Sequence, residues 1–173
     1  MAKMKNSTKG IIAVIVVLIV IIAVFAGINA KNTNTSVDGL TVTVGDNETV
    51  YTIDDLKAMD NIETMNKTIK SGKAADETGD FTGVSLSALL LQNLTKEELK
   101  AYSAVVVTSG DGYATSYSVD EVLQPQNVMV IFEKDGEALV PYSDGGSGPI
   151  RIIVMNDTFG TRSAMWVTAI SLE

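Results

Sequence analysis

Arg151 and Arg162 are the only guanidinium groups in a chain of 173 residues that carries 21 acidic side chains. A guanidinium is a rigid fork of N–H donors, so either arginine could grip a phosphate or a carboxylate. The alternative is that each pairs with one of the many acids, and for Arg151, set inside an apolar strand pattern, pairing is the favoured reading. The glycine-rich loop 144–149 could line a pocket with free backbone N–H groups. It lacks the strand–loop–helix setting of a phosphate cradle, so a flexible turn is the simpler account. Trp166 and the five tyrosines could stack on a ring, although core packing is their commoner use. Asp54 with Asp55, and Asp135 with Glu137, could hold calcium weakly. Neither pair has the spacing of an EF-hand loop, and helix capping and turn formation explain them better.

What is missing narrows the chemistry further. Without cysteine there is no disulfide, thiolate nucleophile, iron–sulfur cluster or cysteine zinc site. Without histidine there is no Ser-His-Asp triad and no imidazole ligand. Carboxylate chemistry, hard-metal binding through oxygen, and serine, threonine or lysine in less common roles remain.

The elements that would position these residues are short. Leu40, Val42 and Val44 alternate with Thr41 and Thr43, a period-two strand signal. Thr52 ahead of Asp54, Asp55 and Leu56 predicts a capped helical turn. Residues 61–69 alternate weakly as a strand, and 71–80 read as a polar loop. Ser85 caps a turn carrying Leu86, Leu89 and Leu90 on one face. Thr95 with Glu98, and Ser118 with Glu121, have capping-box spacing. Residues 104–108, 113–119, 128–132, 150–155 and 166–172 supply further strands, with Gly110-Asp111-Gly112 as one turn and Asp135-Gly136 as a hairpin signal. The expectation is one strand-rich α+β domain without repeats.

Ahead of it lies an uncharged run from Gly10 to Ala30. As a helix, its apolar centre would measure about 27 Å, close to the hydrocarbon thickness of a bilayer. Lys3, Lys5 and Lys9 precede the run and Lys31 alone follows closely, which predicts a cytoplasmic N-terminus and an outward-facing domain. The expected organisation is a cytoplasmic basic stub (1–10), a transmembrane anchor or signal (11–30), a polar tether (31–39) and one domain (40–173). Cleavage near Ala30, giving a secreted form, is the alternative. From residue 31 onward, ten basic side chains face 21 acidic ones, a formal charge of −11 that sets nucleic-acid binding aside. Five sequons on the expected outward side, at Asn34, Asn47, Asn66, Asn93 and Asn156, matter only in a host that glycosylates.

Five blocks then carry a resemblance: FTGVSLSALL (81–90), SGDGYATSYSVDEV (109–122), VMVIFEKDGEAL (128–139), GPIRIIV (148–154) and FGTRSAMWVTAISL (159–172). In order and spacing they resemble the sulfite-oxidase-like, oxidoreductase molybdopterin-binding domain, from about residue 51 onward. The resemblance implies a mixed α+β fold, a molybdopterin cofactor and a cysteine thiolate on molybdenum just after the strand that follows the first helix. Thr68-Ile69-Lys70-Ser71-Gly72 occupies that stretch, so Ser71 stands at the ligand position. The family's histidine before its GPxR-like block is replaced within Ser143-Asp144-Gly145-Gly146-Ser147, and its Arg-Ser-x-Lys-Trp pattern becomes Arg162-Ser163-Ala164-Met165-Trp166, without the lysine. Arg151, Arg162 and Ser163 are what the resemblance offers a pterin, with Lys70 or Lys73 able to converge with Arg162.

Three function classes follow. The favoured one is a membrane-anchored, catalytically degenerate module that binds an unknown protein or small ligand, with no cofactor expected. The others are a molybdopterin oxidoreductase with an altered ligand set and a structural surface protein.

Overall fold

Period-two sequence patterns and one continuous apolar run build two five-stranded sheets in the computed structural model, which describes residues 39–173. The stub and anchor, and all of the tether except Gly39, lie outside the described residues. Among the described residues, no helix is long and apolar enough to cross a membrane.

The first sheet contains β1 (Gly39–Val44), β2 (Asn47–Thr52), β5 (Ala104–Ser109), β6 (Ala114–Ser118) and β10 (Val167–Leu172), in the order β2-β1-β10-β5-β6. Only β1 and β10 run parallel; the other pairs are antiparallel. The second sheet is antiparallel and contains β3 (Ile62–Ile69), β4 (Glu77–Ser85), β7 (Val128–Lys134), β8 (Glu137–Ala138) and β9 (Arg151–Val154). Strands β8 and β9 pair with successive stretches of β7. Four short helices connect the strands: α1 (Ile53–Lys57), α2 (Leu86–Leu90), α3 (Lys96–Leu99) and α4 (Val119–Val122).

Strand β7 explains how the layers hold together. Val128, Val130 and Phe132 enter the main core with Leu40, Val105, Val107, Ile152 and Ile170. Met129 and Ile131 point the other way, into a smaller cluster with Ile69, Phe81, Leu139 and Ile153. A strand buried on both faces needs an uninterrupted apolar sequence, as this one has. Gly83 of β4 lies beside it because a Cβ there would come within 2.0 Å of the Val130 carbonyl oxygen. The leucines Leu86, Leu89 and Leu90 of α2 are buried in the main core, as their spacing predicts.

Local capping follows sequence closely. Thr52 with Asp55 and Thr95 with Glu98 form reciprocal capping boxes, and Ser85 accepts from Ala88. Asp135 and Gly136, at φ of 54° and 81°, make the expected hairpin turn. Three expectations need correction. The polar loop ends at Asp76, because Glu77 to Asp80 pair with β3 as strand. Ser118 caps α4 through the Glu121 N–H, but the Glu121 carboxylate binds Arg162 instead of closing a box. Trp166 precedes β10 at a φ of 49° and is half-buried, stacking on Tyr142 at 5.0 Å rather than filling the core. Asp55 closes the cap of α1 with Asp54 in its first turn, and Asp135 sits in the hairpin turn that leads to Glu137 of β8.

Candidate functional site

Ile69 carries the smaller cluster to the wall of the most chemically suggestive cleft. Where β3 ends, the Lys70 N–H donates to the Thr158 carbonyl at 2.9 Å, and Lys70 bridges Phe159. That pairing ties the loop after β3 to the segment after β9. Lys67 of β3 adds a second tie, donating from Nζ to the carbonyls of Met155 at 2.8 Å and Asp157 at 2.6 Å. Desolvation holds its pKa below the ordinary lysine value, partly offset by Asp157. The loop 70–76 then turns back to β4. Ser71 Oγ accepts from the Ala74 N–H at 2.9 Å and the Lys73 N–H at 3.4 Å, while the Ser71 N–H donates to Asp76 Oδ1. A cavity of about 510 Å³ lies between this loop and the segment 159–165, and both Ser71 and Arg151 line it.

Arg151 comes from β9, on the face that also carries Ile153. Its side chain is only 3% exposed. Nη1 donates to both oxygens of Glu77, at 3.0 and 2.8 Å, and the guanidinium carbon lies 5.8 Å from the Phe81 ring centre. Lys134 reaches the same carboxylate at 3.2 Å and the same ring at 5.6 Å. Burial pushes the Glu77 carboxyl up, but Arg151 and Lys134 together hold it below the ordinary glutamate value. Nε of Arg151 is buried without a hydrogen-bond partner.

Arg162 sits elsewhere. It belongs to a 3-10 turn, Gly160–Arg162, and takes no part in lining the cleft. Nε and Nη2 grip Asp157 at 2.8 and 2.6 Å, Nη1 reaches Glu121 at 2.7 Å, and the Asp157 hydrogen bonds raise its pKa first of several causes. Beneath it, Tyr117 donates its hydroxyl to the Arg162 carbonyl, with burial raising the phenol pKa. Ser163 ends the turn by donating its N–H to Gly160 and does not line the cleft. Lys70 and Lys73 converge with Arg151 rather than with Arg162. Glu77, Phe159 and Met165 also line the cleft, and the sequence reading gave none of them a role. The period-two series Glu77, Gly79, Phe81 was the signal available for Glu77.

These features define a strand-rich α+β domain with a cationic cleft on the reverse face of its second sheet. The chain belongs to the oxidoreductase molybdopterin binding domain family, whose description matches residues 26–173. In three dimensions it is similar to the sulfane dehydrogenase SoxCD from Paracoccus pantotrophus, at a TM-score of 0.58 and 19% identity over 78% of this chain. That similarity concerns the fold, and the chain spans 37% of the SoxCD chain. No curated protein matches it.

The family implies a molybdopterin, and it is at the metal position that the side chains present depart from one. At the position where the resemblance expects the metal ligand stands Ser71, whose Oγ, a neutral hydroxyl, already accepts from two backbone N–H groups. A phosphate-bearing pterin wants several cations: Lys70, Lys73 and Arg151 line the cleft, while Arg162 is engaged by two acids outside it. Arg151 keeps a buried Nε and an Nη2 without acceptors among the described residues.

Proposed function

We propose that this chain is a membrane-anchored, extracytoplasmic binding module that keeps the family fold without its redox catalysis. The observation that carries the reading is the state of Ser71. Its oxygen organises the turn 71–74, and the chain has no cysteine to supply a thiolate in its place. Anchoring rests on the apolar run from Ile11 to Ile28 and on the lysines before it.

Elemental and pterin analysis of protein purified from its native host tests the catalytic half of the reading: neither molybdenum nor pterin is expected. External protease on intact cells tests the topology, and should remove the domain while leaving the anchor in the membrane. The shared cleft of Ser71 and Arg151 favours a second reading, an oxidoreductase with an oxygen ligand. Stoichiometric molybdenum that disappears on Ser71→Ala would establish it.

A further inference from the structure

We infer that the cleft between the loop 70–76 and the segment 159–165 binds a small amphipathic monocarboxylate, an acid with an aromatic or branched aliphatic body, held by Nη2 of Arg151. The inference rests on the non-catalytic reading above, since the acid takes space that a metal cofactor would otherwise need.

Charge supplies the first argument. The chain from residue 31 onward is strongly acidic, so an acidic ligand is repelled by most of its surface. The cleft reverses that sign: Lys70, Lys73 and Arg151 line it against Glu77 alone.

The state of Arg151 supplies the second. Glu77 occupies Nη1, whereas Nε is buried with no partner and Nη2 makes no hydrogen bond among the described residues. Nε is closed off by burial, whereas Nη2 has neither an acceptor nor full cover, so it can donate to a carboxylate oxygen of a ligand in the cleft. A charged donor left unpaired in so buried a side chain is costly, so Nη2 gains from an acceptor that the protein itself does not provide.

The walls decide the class of acid. Ile69 lines the wall, while Phe159 and Met165 are 49% and 46% exposed at the cleft. An apolar ligand body would cover surface that now faces water. Inorganic phosphate or sulfate would leave those walls wet, and a dianion would also meet the Glu77 carboxylate beside Arg151. A monoanion with a hydrocarbon body answers both constraints.

Calorimetric titration of the full-length chain in detergent, with empty micelles as control, tests this with phenylacetate, 4-methylpentanoate, phenylacetamide and sulfate. At least one of the two acids should bind, and phenylacetamide and sulfate should bind at least about tenfold more weakly. Arg151→Gln should abolish acid binding. Phe159→Ala, an exposed position that leaves the core intact, should weaken it several-fold without changing the circular dichroism spectrum. Glu77→Gln should strengthen it, because a competing carboxylate is removed. Failure of both acids to bind at millimolar concentration, equal binding of the acid and its amide, equal binding of sulfate, or an unchanged affinity in Phe159→Ala would each overturn the inference. Those results leave the non-catalytic reading standing if the native protein lacks molybdenum. Stoichiometric molybdenum in the native protein overturns both.

Discussion

Arg151 and Arg162 lie eleven positions apart and occupy opposite situations. Arg162 is 40% exposed and has every guanidinium nitrogen matched to a carboxylate oxygen of Asp157 or Glu121. Arg151 is almost wholly buried, yet only one of its nitrogens has an acceptor. Exposure and satisfaction thus run in the reverse of the usual order, in which buried polar groups are the best paired. The contrast separates a charge that fastens two segments of the fold from one whose bonding is incomplete within the protein. It also shows why counting arginines near a family motif does not locate a ligand: what matters is which donors remain open.

The largest test of that contrast is Arg151→Ala. Removing the cation leaves the Glu77 carboxylate to Lys134 alone, so unfolding free energy from urea titration should fall by about 2 to 3 kcal/mol, tempered by that remaining pair and by the partial exposure of Glu77. The same pair carries a pH signature. Because the folded-state pKa of Glu77 is lowered, its contribution is fully present above its ordinary value of 4.5 and is lost as pH falls through the folded value. The stability gap between the wild type and Glu77→Gln should therefore be flat above that pH and change only below it. Arg162→Ala should cost less, about 1 kcal/mol, with the loss shrinking as salt is added, since its partners lie near the surface. A salt-independent loss equal to that of Arg151→Ala would erase the distinction. Smallest is Ser71→Ala, at about 0.5 to 1 kcal/mol, because the N–H groups of Lys73 and Ala74 can turn to water. A larger loss would mean that the turn supports more than the cleft wall.

The sequence showed the fold wherever the cause was local. Thr52, Ser85 and Thr95 cap helices through atoms three residues away, and β7 announces itself by an apolar run. Strand β2 left no such mark, since NETVYT is exposed along almost its whole length and owes its form to pairing with β1. The start of β4 hid for the same reason: Glu77 to Asp80 are polar, and their strand state depends on β3. The site was less legible still. The resemblance singled out Ser71 and Arg151 separately, but their meeting depends on folding residues 80 positions apart onto one face. Arg162 and Ser163, equally prominent by motif, are carried away from the cleft by the turn that Asp157 and Glu121 secure.

The parallel partnership of β1 and β10 bears on how the chain is made. Val42 sits opposite Ile170, and β10 lies between β1 and β5 in the middle of its sheet. Although β2 can pair with β1 at once, a ribosome must reach β10 before β1 finds its second neighbour, and contacts of such long range slow folding. Until then, the inner edges of β1 and β5 stay open to stray strand pairing. Loss of residues 167–173, through a stop codon before them or proteolytic trimming, would leave that gap permanent and turn a shortened product into a substrate for aggregation or degradation.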